Sequence, residues 1–365
     1  MNTRTELITG LMLIGGELVE SESGKWLDSV NPANEELIGR VPAGTAADVQ
    51  RAYLAAEAAQ PAWAALTPTA RGDYLLKVAQ AMRERADEIL RIEVMDTGNT
   101  ITKMKGDVSQ AAKALEFFAG LGMEIKGESV PASTDNLHVS IREPYGVVGR
   151  IVPFNHPIKF ASNAIAAPLM AGNTVIVKPP EQSPLSAGIL AEICRDLLPP
   201  GVVNIVTGNG MPVGDAIVRH PGIKRIAFTG SVPTGMAIQR AAAEVCIKHL
   251  SLELGGKNPL IVFPDMDPDK IAEVAIGAMN FAWSGQSCGS GQPFADSRIA
   301  LRCGVDAPGG KGGGAEAGRS AGWQFADGAL EFEAALRPGM RDGAEGQGRE
   351  GAADDRRRTA ERRAV

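Results

Sequence analysis

Three side chains in this sequence have types and settings that suit covalent carbonyl chemistry. Cys288 lies in Ser284-Gly285-Gln286-Ser287-Cys288-Gly289-Ser290. Small residues on both sides let that loop approach a ligand closely, and a thiolate there would be a strong covalent nucleophile. A cysteine also fits a small buried hydrophobe. Glu253 ends the apolar run 250–254 and precedes Gly255-Gly256. A carboxylate held there can accept a proton as a general base, or simply cap the turn. Asn155 stands in Ile151-Val152-Pro153-Phe154-Asn155-His156-Pro157. Its amide could donate to a developing oxyanion, and Asn is equally favoured as a helix N-cap.

A second group of residues suits a nucleotide. Phe228-Thr229-Gly230-Ser231-Val232-Pro233-Thr234-Gly235 joins an apolar run to a helical stretch, and backbone N–H groups at such a helix start suit a pyrophosphate. It is not a Walker A loop, because Met236 follows Gly235 where that loop has Lys. Gly208-Asn209-Gly210 with Gly214 misses the dinucleotide fingerprint by about one residue. Lys178 and Glu181, in Lys178-Pro179-Pro180-Glu181, could both reach a ribose or form a solvated turn pair. Phe281 and Trp283, just before Cys288, suit an aromatic pocket as well as a core.

Positioning these residues requires a regular scaffold. Short apolar strands are expected at 147–152, 174–177, 202–206, 225–228 and 250–254, with helices at about 157–170, 182–197, 212–219 and 234–245 between them. Such alternation reads as βαβ units and a parallel sheet, whose ligands bind at the carboxyl ends of the strands. A further strand at 259–263 and a helix at 267–281 lead to Cys288. Ahead of the sheet, residues 13–42 read as a small β meander. Helices follow from Thr45 (an N-cap), from Thr67-Pro68, and over 86–97 and 103–121. Polar–apolar alternation in residues 122–146 predicts a protruding β-hairpin, a candidate oligomer contact.

The 365 residues suffice for two domains. The net charge of −6 offers no basic field to nucleic acid, and no run of about twenty apolar residues suggests a membrane span. Four widely spaced cysteines fit neither a disulfide scaffold nor a metal site. They point to a reducing, cytoplasmic setting with no bound metal.

Taken in order, six motifs resemble the aldehyde dehydrogenase superfamily over about residues 10–290. They are Pro153-Phe154-Asn155, Val177-Lys178-Pro179-Pro180-Glu181-Gln182-Ser183-Pro184, Pro199-Pro200-Gly201-Val202-Val203-Asn204, Phe228-Thr229-Gly230-Ser231, Leu252-Glu253-Leu254-Gly255-Gly256-Lys257 and Gly285-Gln286-Ser287-Cys288. The resemblance implies an α/β chain with a Rossmann-like, parallel-sheet NAD-binding domain over 1–121 and 147–254. It further implies an oligomerisation arm over 122–146 and the start of a truncated α/β catalytic domain over 255–290. It gives Cys288 the role of nucleophile, Asn155 that of oxyanion donor and Glu253 that of base. Lys178 and Glu181 would hold the adenosine ribose. Phe228, Gly230, Ser231 and Gly235 would line the pyrophosphate and nicotinamide side, and Leu254 would meet the nicotinamide amide. Val152, Pro153 and Phe154 complete the cofactor site, Phe154 standing where the family more often has Trp. The implied reaction is NAD-dependent oxidation of an aldehyde to its acid through a Cys288 thioester. Glu181 argues for NAD over NADP, and Glu253 argues against the acylating branch that hands the thioester to coenzyme A. The implied assembly is a homo-oligomer.

After Ser290 the resemblance ends. Residues 291–365 are rich in Gly, Ala and Arg, contain no strand pattern and have at most a weak helix at 325–336. We expect this tail to be disordered or read out of frame, so that the family's later nicotinamide-ribose motif and oligomerisation strand have no counterpart. The alternative expectation for the chain is therefore a non-catalytic fragment that keeps only nucleotide binding or subunit association. Resequencing the gene across the Ser290 codon tests the frame: a corrected frame should restore family-like sequence downstream, and its failure to do so removes the frameshift explanation.

Overall fold

The computed structural model describes residues 7–263 and 265–296. The chain opens with five short strands, β1 (Ile8–Thr9), β2 (Met12–Ile14), β3 (Glu17–Val19), β4 (Trp26–Val30) and β5 (Leu37–Pro42). Four helices follow: α1 (Ala46–Ala64), α2 (Pro68–Glu84), α3 (Ala86–Thr97) and α4 (Ile101–Gly120). Thr45 caps α1 through a reciprocal box with Asp48, and Thr67 caps α2 with Pro68 in its first turn, as their sequence signatures require. The antiparallel pair β6 (Ser129–Pro131) and β7 (Leu137–Val139) comes next.

The remaining elements alternate. They are β8 (Val147–Ile151), α5 (Pro157–Met170), β9 (Thr174–Lys178), α6 (Leu185–Leu197), β10 (Val203–Ile205), α7 (Asp215–Arg219), β11 (Arg225–Gly230), α8 (Val232–Ala243), β12 (His249–Leu254), β13 (Asn258–Val262), α9 (Pro268–Ala278) and β14 (Gly291–Asp296). The main sheet has seven strands in the order β12-β11-β8-β9-β10-β2-β3. Its five strands from β12 to β10 run parallel, and the β2–β3 hairpin joins antiparallel at the β10 edge.

Burial on both faces explains the unbroken apolar runs. Every residue of β9 is buried, and its side chains alternate between two cores. Val175 and Val177 pack with helices α2 to α6. Ile176 packs with α1, α7 and α8 on the opposite face. The fold is thus the expected α/β architecture with a parallel sheet.

Two expectations are corrected. Residues 13–42 do not form one meander: β2 and β3 extend the main sheet, while β4 and β5 pair with β1 in a separate three-stranded sheet. Regular structure does not stop at Ser290 either, since β14 pairs parallel with β13. Residues 297–365, and with them most of the tail and the helix expected at 325–336, lie outside the described residues. Among the described residues, no helix is long and apolar enough to cross a membrane.

Three carboxyl groups are buried where α3 and α4 pack against α5 and α6: Glu93, Asp96 and Asp107. Burial raises the Glu93 carboxyl to about 8, with Asp96 and Asp107 pushing the same way. Burial likewise raises Asp96 to about 7, although the Ser29 hydroxyl and the Leu185 N–H (2.8 Å) both donate to it. Folded Glu93 and Asp96 keep their protons at pH values where the unfolded chain has released them, so these two groups make stability fall as pH rises. Urea unfolding should show stability decreasing from about pH 5 to about pH 8 and then levelling with respect to Glu93. Glu93→Gln should flatten that slope, and an unchanged slope would refute the assignment.

Candidate active site

The carboxyl ends of β8 and β11 form the floor of the site. These strands are neighbours, and the connection from β8 leads away to β9 on its other side. A crevice therefore opens between the segment after β8 and the segment after β11, the place where such sheets bind ligands. Val152-Pro153-Phe154-Asn155 follows β8, and Ser231 follows β11.

One cavity, of about 290 Å³, lies over this crevice. Among its lining residues are Val152, Pro153, Phe154, Lys178, Glu181, Phe228, Gly230 and Ser231. Lys178, at the end of β9, is 2% exposed. Its Nζ donates to Glu181 Oε2 at 2.7 Å and to the Pro179 carbonyl at 2.9 Å. Burial lowers the lysine's affinity for its proton, and Glu181 opposes that effect. The pair is thus a buried ammonium with its partner at the cavity wall, rather than a solvated turn pair. Ser231 caps α8 by accepting from the Thr234 N–H at 3.3 Å. Gly230 is closely packed, since a Cβ there would stand 2.4 Å from the Phe228 ring.

A second cavity, of about 300 Å³, is lined by Asn155, Glu253, Leu254 and Cys288, together with Phe160, Gly255, Gly256, Gln286 and Ser287. It shares Pro153, Phe154, Thr229 and Gly230 with the first. The two spaces are therefore neighbours across one wall. Glu253, at the end of β12, and Cys288 are both exposed to it. Asn155 is not the helix cap: His156 occupies that position on α5. The Asn155 amide instead donates to the Gln286 carbonyl at 2.8 Å, which ties the residue to the cysteine loop 131 positions away. A primary amide carries two N–H donors, so this bond leaves one for another acceptor.

The cysteine loop turns sharply. Asn280 and Ser284 adopt left-handed backbone angles (φ 53° and 54°), as does Gly285 (φ 70°), a conformation uncommon for residues other than glycine. The side chain of Asn258 secures the loop by donating to the Cys288 carbonyl and, at 3.1 Å, to the Ser290 carbonyl.

Gly235 is expected beside the nucleotide residues from its place after Phe228-Thr229-Gly230-Ser231. In the fold it is buried in α8 and lines neither cavity; a Cβ there would meet Leu254 Cδ2 at 2.9 Å. The weak Gly208–Gly214 pattern does contribute, because Gly210 and Gly214 line the first cavity. Neither Phe281 nor Trp283 lines the cysteine cavity, whose aromatic rings are Phe154 and Phe160. Phe160 carried no signal beyond its place on a helix.

With this geometry in place, comparison with known proteins assigns the family. The chain belongs to the aldehyde dehydrogenase family, whose pattern matches residues 18–295. The match begins somewhat later than the resemblance read from the motifs and runs five residues past Ser290. The chain is 42% identical over 278 residues to the aldehyde dehydrogenase tropH of Talaromyces stipitatus, covering 73% of this chain and 54% of that protein. It thus spans about half the length of that curated relative. Among solved structures, the NAD+ complex of an aldehyde dehydrogenase from Bacillus cereus superposes with a TM-score of 0.88 at 33% identity, over 94% of this chain and 70% of that one. An NADP-dependent enzyme of E. coli gives a TM-score of 0.87 at 32% identity, over 92% of this chain and 70% of the other.

Proposed function

We propose that this site oxidises an aldehyde to the carboxylic acid with NAD as hydride acceptor. The observation that carries the reading is that one cavity lined by Asn155, Glu253 and Cys288 adjoins another lined by Lys178 and Glu181. The Cys288 thiolate attacks the aldehyde carbon, while an Asn155 N–H donates to the oxygen that gains charge. When bound, the nicotinamide supplies a two-electron hydride acceptor. The resulting Cys288 thioester is hydrolysed by water whose proton passes to Glu253. Covalent attachment holds the reacting carbon at the shared wall, which makes its oxidation effectively intramolecular.

The nucleotide cavity supports a dinucleotide. A buried cation paired with a carboxylate at the cavity wall suits ribose hydroxyls, which both donate and accept, and the capped start of α8 suits a pyrophosphate. The fold alone does not choose between NAD and NADP, since relatives of both kinds superpose on it. Glu181 supports NAD, because its carboxylate repels a 2′-phosphate. The exposed Leu137 and Val139 of the hairpin support a role for residues 122–146 as a contact between copies in a homo-oligomer.

Formation of NADH, followed at 340 nm with a panel of aldehydes, tests the reaction. Cys288→Ser should abolish it, and Asn155→Ala should lower kcat by about 10²- to 10³-fold. Glu181→Gln should cut the preference for NAD over NADP by about tenfold or more, and an unchanged preference removes Glu181 from the selectivity. A second reading, nucleotide binding without turnover, draws on the 54% span of the curated relative. NAD binding with no NADH from any aldehyde would select it.

A further inference from the structure

Behind Asn155 lies a buried pair that this chemistry does not use directly. Asp107 on α4 and His156 at the start of α5 are 1% and 7% exposed, and His156 Nδ1 donates to Asp107 Oδ2 at 2.5 Å. The imidazole also meets two rings edge-on: Trp283 at 5.2 Å and the cavity-lining Phe160 at 5.7 Å between centroids. Trp283 belongs to the cysteine loop, and its carbonyl accepts from the Gln286 N–H at 2.8 Å. Gln286 in turn offers its own carbonyl to the Asn155 amide. From below, Asn99 donates to the Asn155 carbonyl at 3.2 Å.

We propose that Asp107 and His156 are positioning residues that lock the oxyanion donor to the nucleophile's loop. The argument is geometric. Asn155 and the loop carrying Cys288 come from segments far apart in the chain, and one side-chain hydrogen bond fixes a distance but not an orientation. His156 adds a second connection, because its backbone continues from Asn155 while its ring bears on Trp283. An imidazole without a partner could turn about its side-chain torsions. The Asp107 carboxylate fixes both the ring plane and the tautomer, and Asp107 is itself held by the surrounding helices. Lys103, 4.9 Å from the Trp283 ring centroid, adds a cation–π contact that limits movement of the indole. Neither Asp107 nor His156 lines the nucleotide cavity, so the device should govern the reaction geometry and leave nucleotide affinity alone. The inference rests on the reading that Cys288 and Asn155 act together.

Hydrogen exchange read by mass spectrometry tests the lock on the whole chain without requiring turnover. His156→Ala and Asp107→Ala should each speed exchange in a peptide covering residues 280–290 by about threefold or more, with peptides from β9 and β10 unchanged. Asp107→Asn, whose amide oxygen still accepts from the imidazole, should stay within about twofold of wild type. His156→Gln keeps a donor for the buried carboxylate but loses the ring contact. It should therefore remain folded and still loosen residues 280–290, which covers the case in which an alanine variant does not fold. In turnover assays the loosened variants should lose about tenfold or more in kcat with KM for NAD unchanged. Wild-type exchange at residues 280–290 in His156→Gln would overturn the proposal. A wild-type chain that oxidises no aldehyde would refute the dehydrogenase reading while leaving the exchange result to decide the lock.

Discussion

Strand β8 has β9 on one side and β11 on the other, and the chain leaves it toward β9 before returning two strands later to β11. That reversal is the constraint on which the rest of the site depends. Helices packed on opposite faces cannot both close over the end of β8, so a crevice opens there. The residues that line the two cavities gather around it. Asn155 and Phe154 follow β8, Lys178 ends β9, Gly230 and Ser231 close β11, and Glu253 stands near the end of β12. The sheet supplies directions rather than contacts: parallel strands bring four carboxyl-terminal ends to one edge. Cys288 alone arrives from outside the main sheet, on a loop between α9 and β14, and so needs its own tethers.

Those tethers differ in kind from the sheet. The cysteine loop is joined to the β8 side by the Asn155 amide and by the contact between His156 and Trp283. It is joined to β13 by the Asn258 side chain. Its left-handed residues allow the chain to reverse within a few positions. A thiol on a flexible loop would lose the entropy of fixation at each encounter with substrate. Here part of that ordering is already complete in the folded chain.

Much of this was legible in the residues. Short apolar runs separated by helical stretches made the parallel sheet readable, because strands buried on both faces have no polar side to interrupt them. Thr45 and Thr67 announced their helices through cap chemistry. Cys288, Glu253 and Asn155 were each ambiguous alone and became a set only through the order and spacing of the motifs around them. What stayed hidden is long-range. Asp107 and His156 are 49 positions apart, and neither carries a local signal for the other. The attachment of β2 to β10 depends on a pairing between segments nearly two hundred residues apart. Strand β14 was missed for a local reason: Gly291-Gln292-Pro293-Phe294-Ala295-Asp296 includes a Pro and lacks an apolar run, features that argue against a strand.

The Lys178–Glu181 pair has a consequence for the energetics of any ligand that reaches it. Taking a hydrogen bond from this ammonium is an exchange, in which the ligand's oxygen displaces a carboxylate already 2.7 Å away. The cation is never stranded in a low-dielectric wall, so the empty state escapes the large penalty of an uncompensated buried charge. The same arrangement limits the gain, because the newcomer is credited only with the difference between its own bond and the one it replaces. Such a contact discriminates well among ligands and contributes modestly to affinity. That balance favours selection among ligands over tight retention of any one of them.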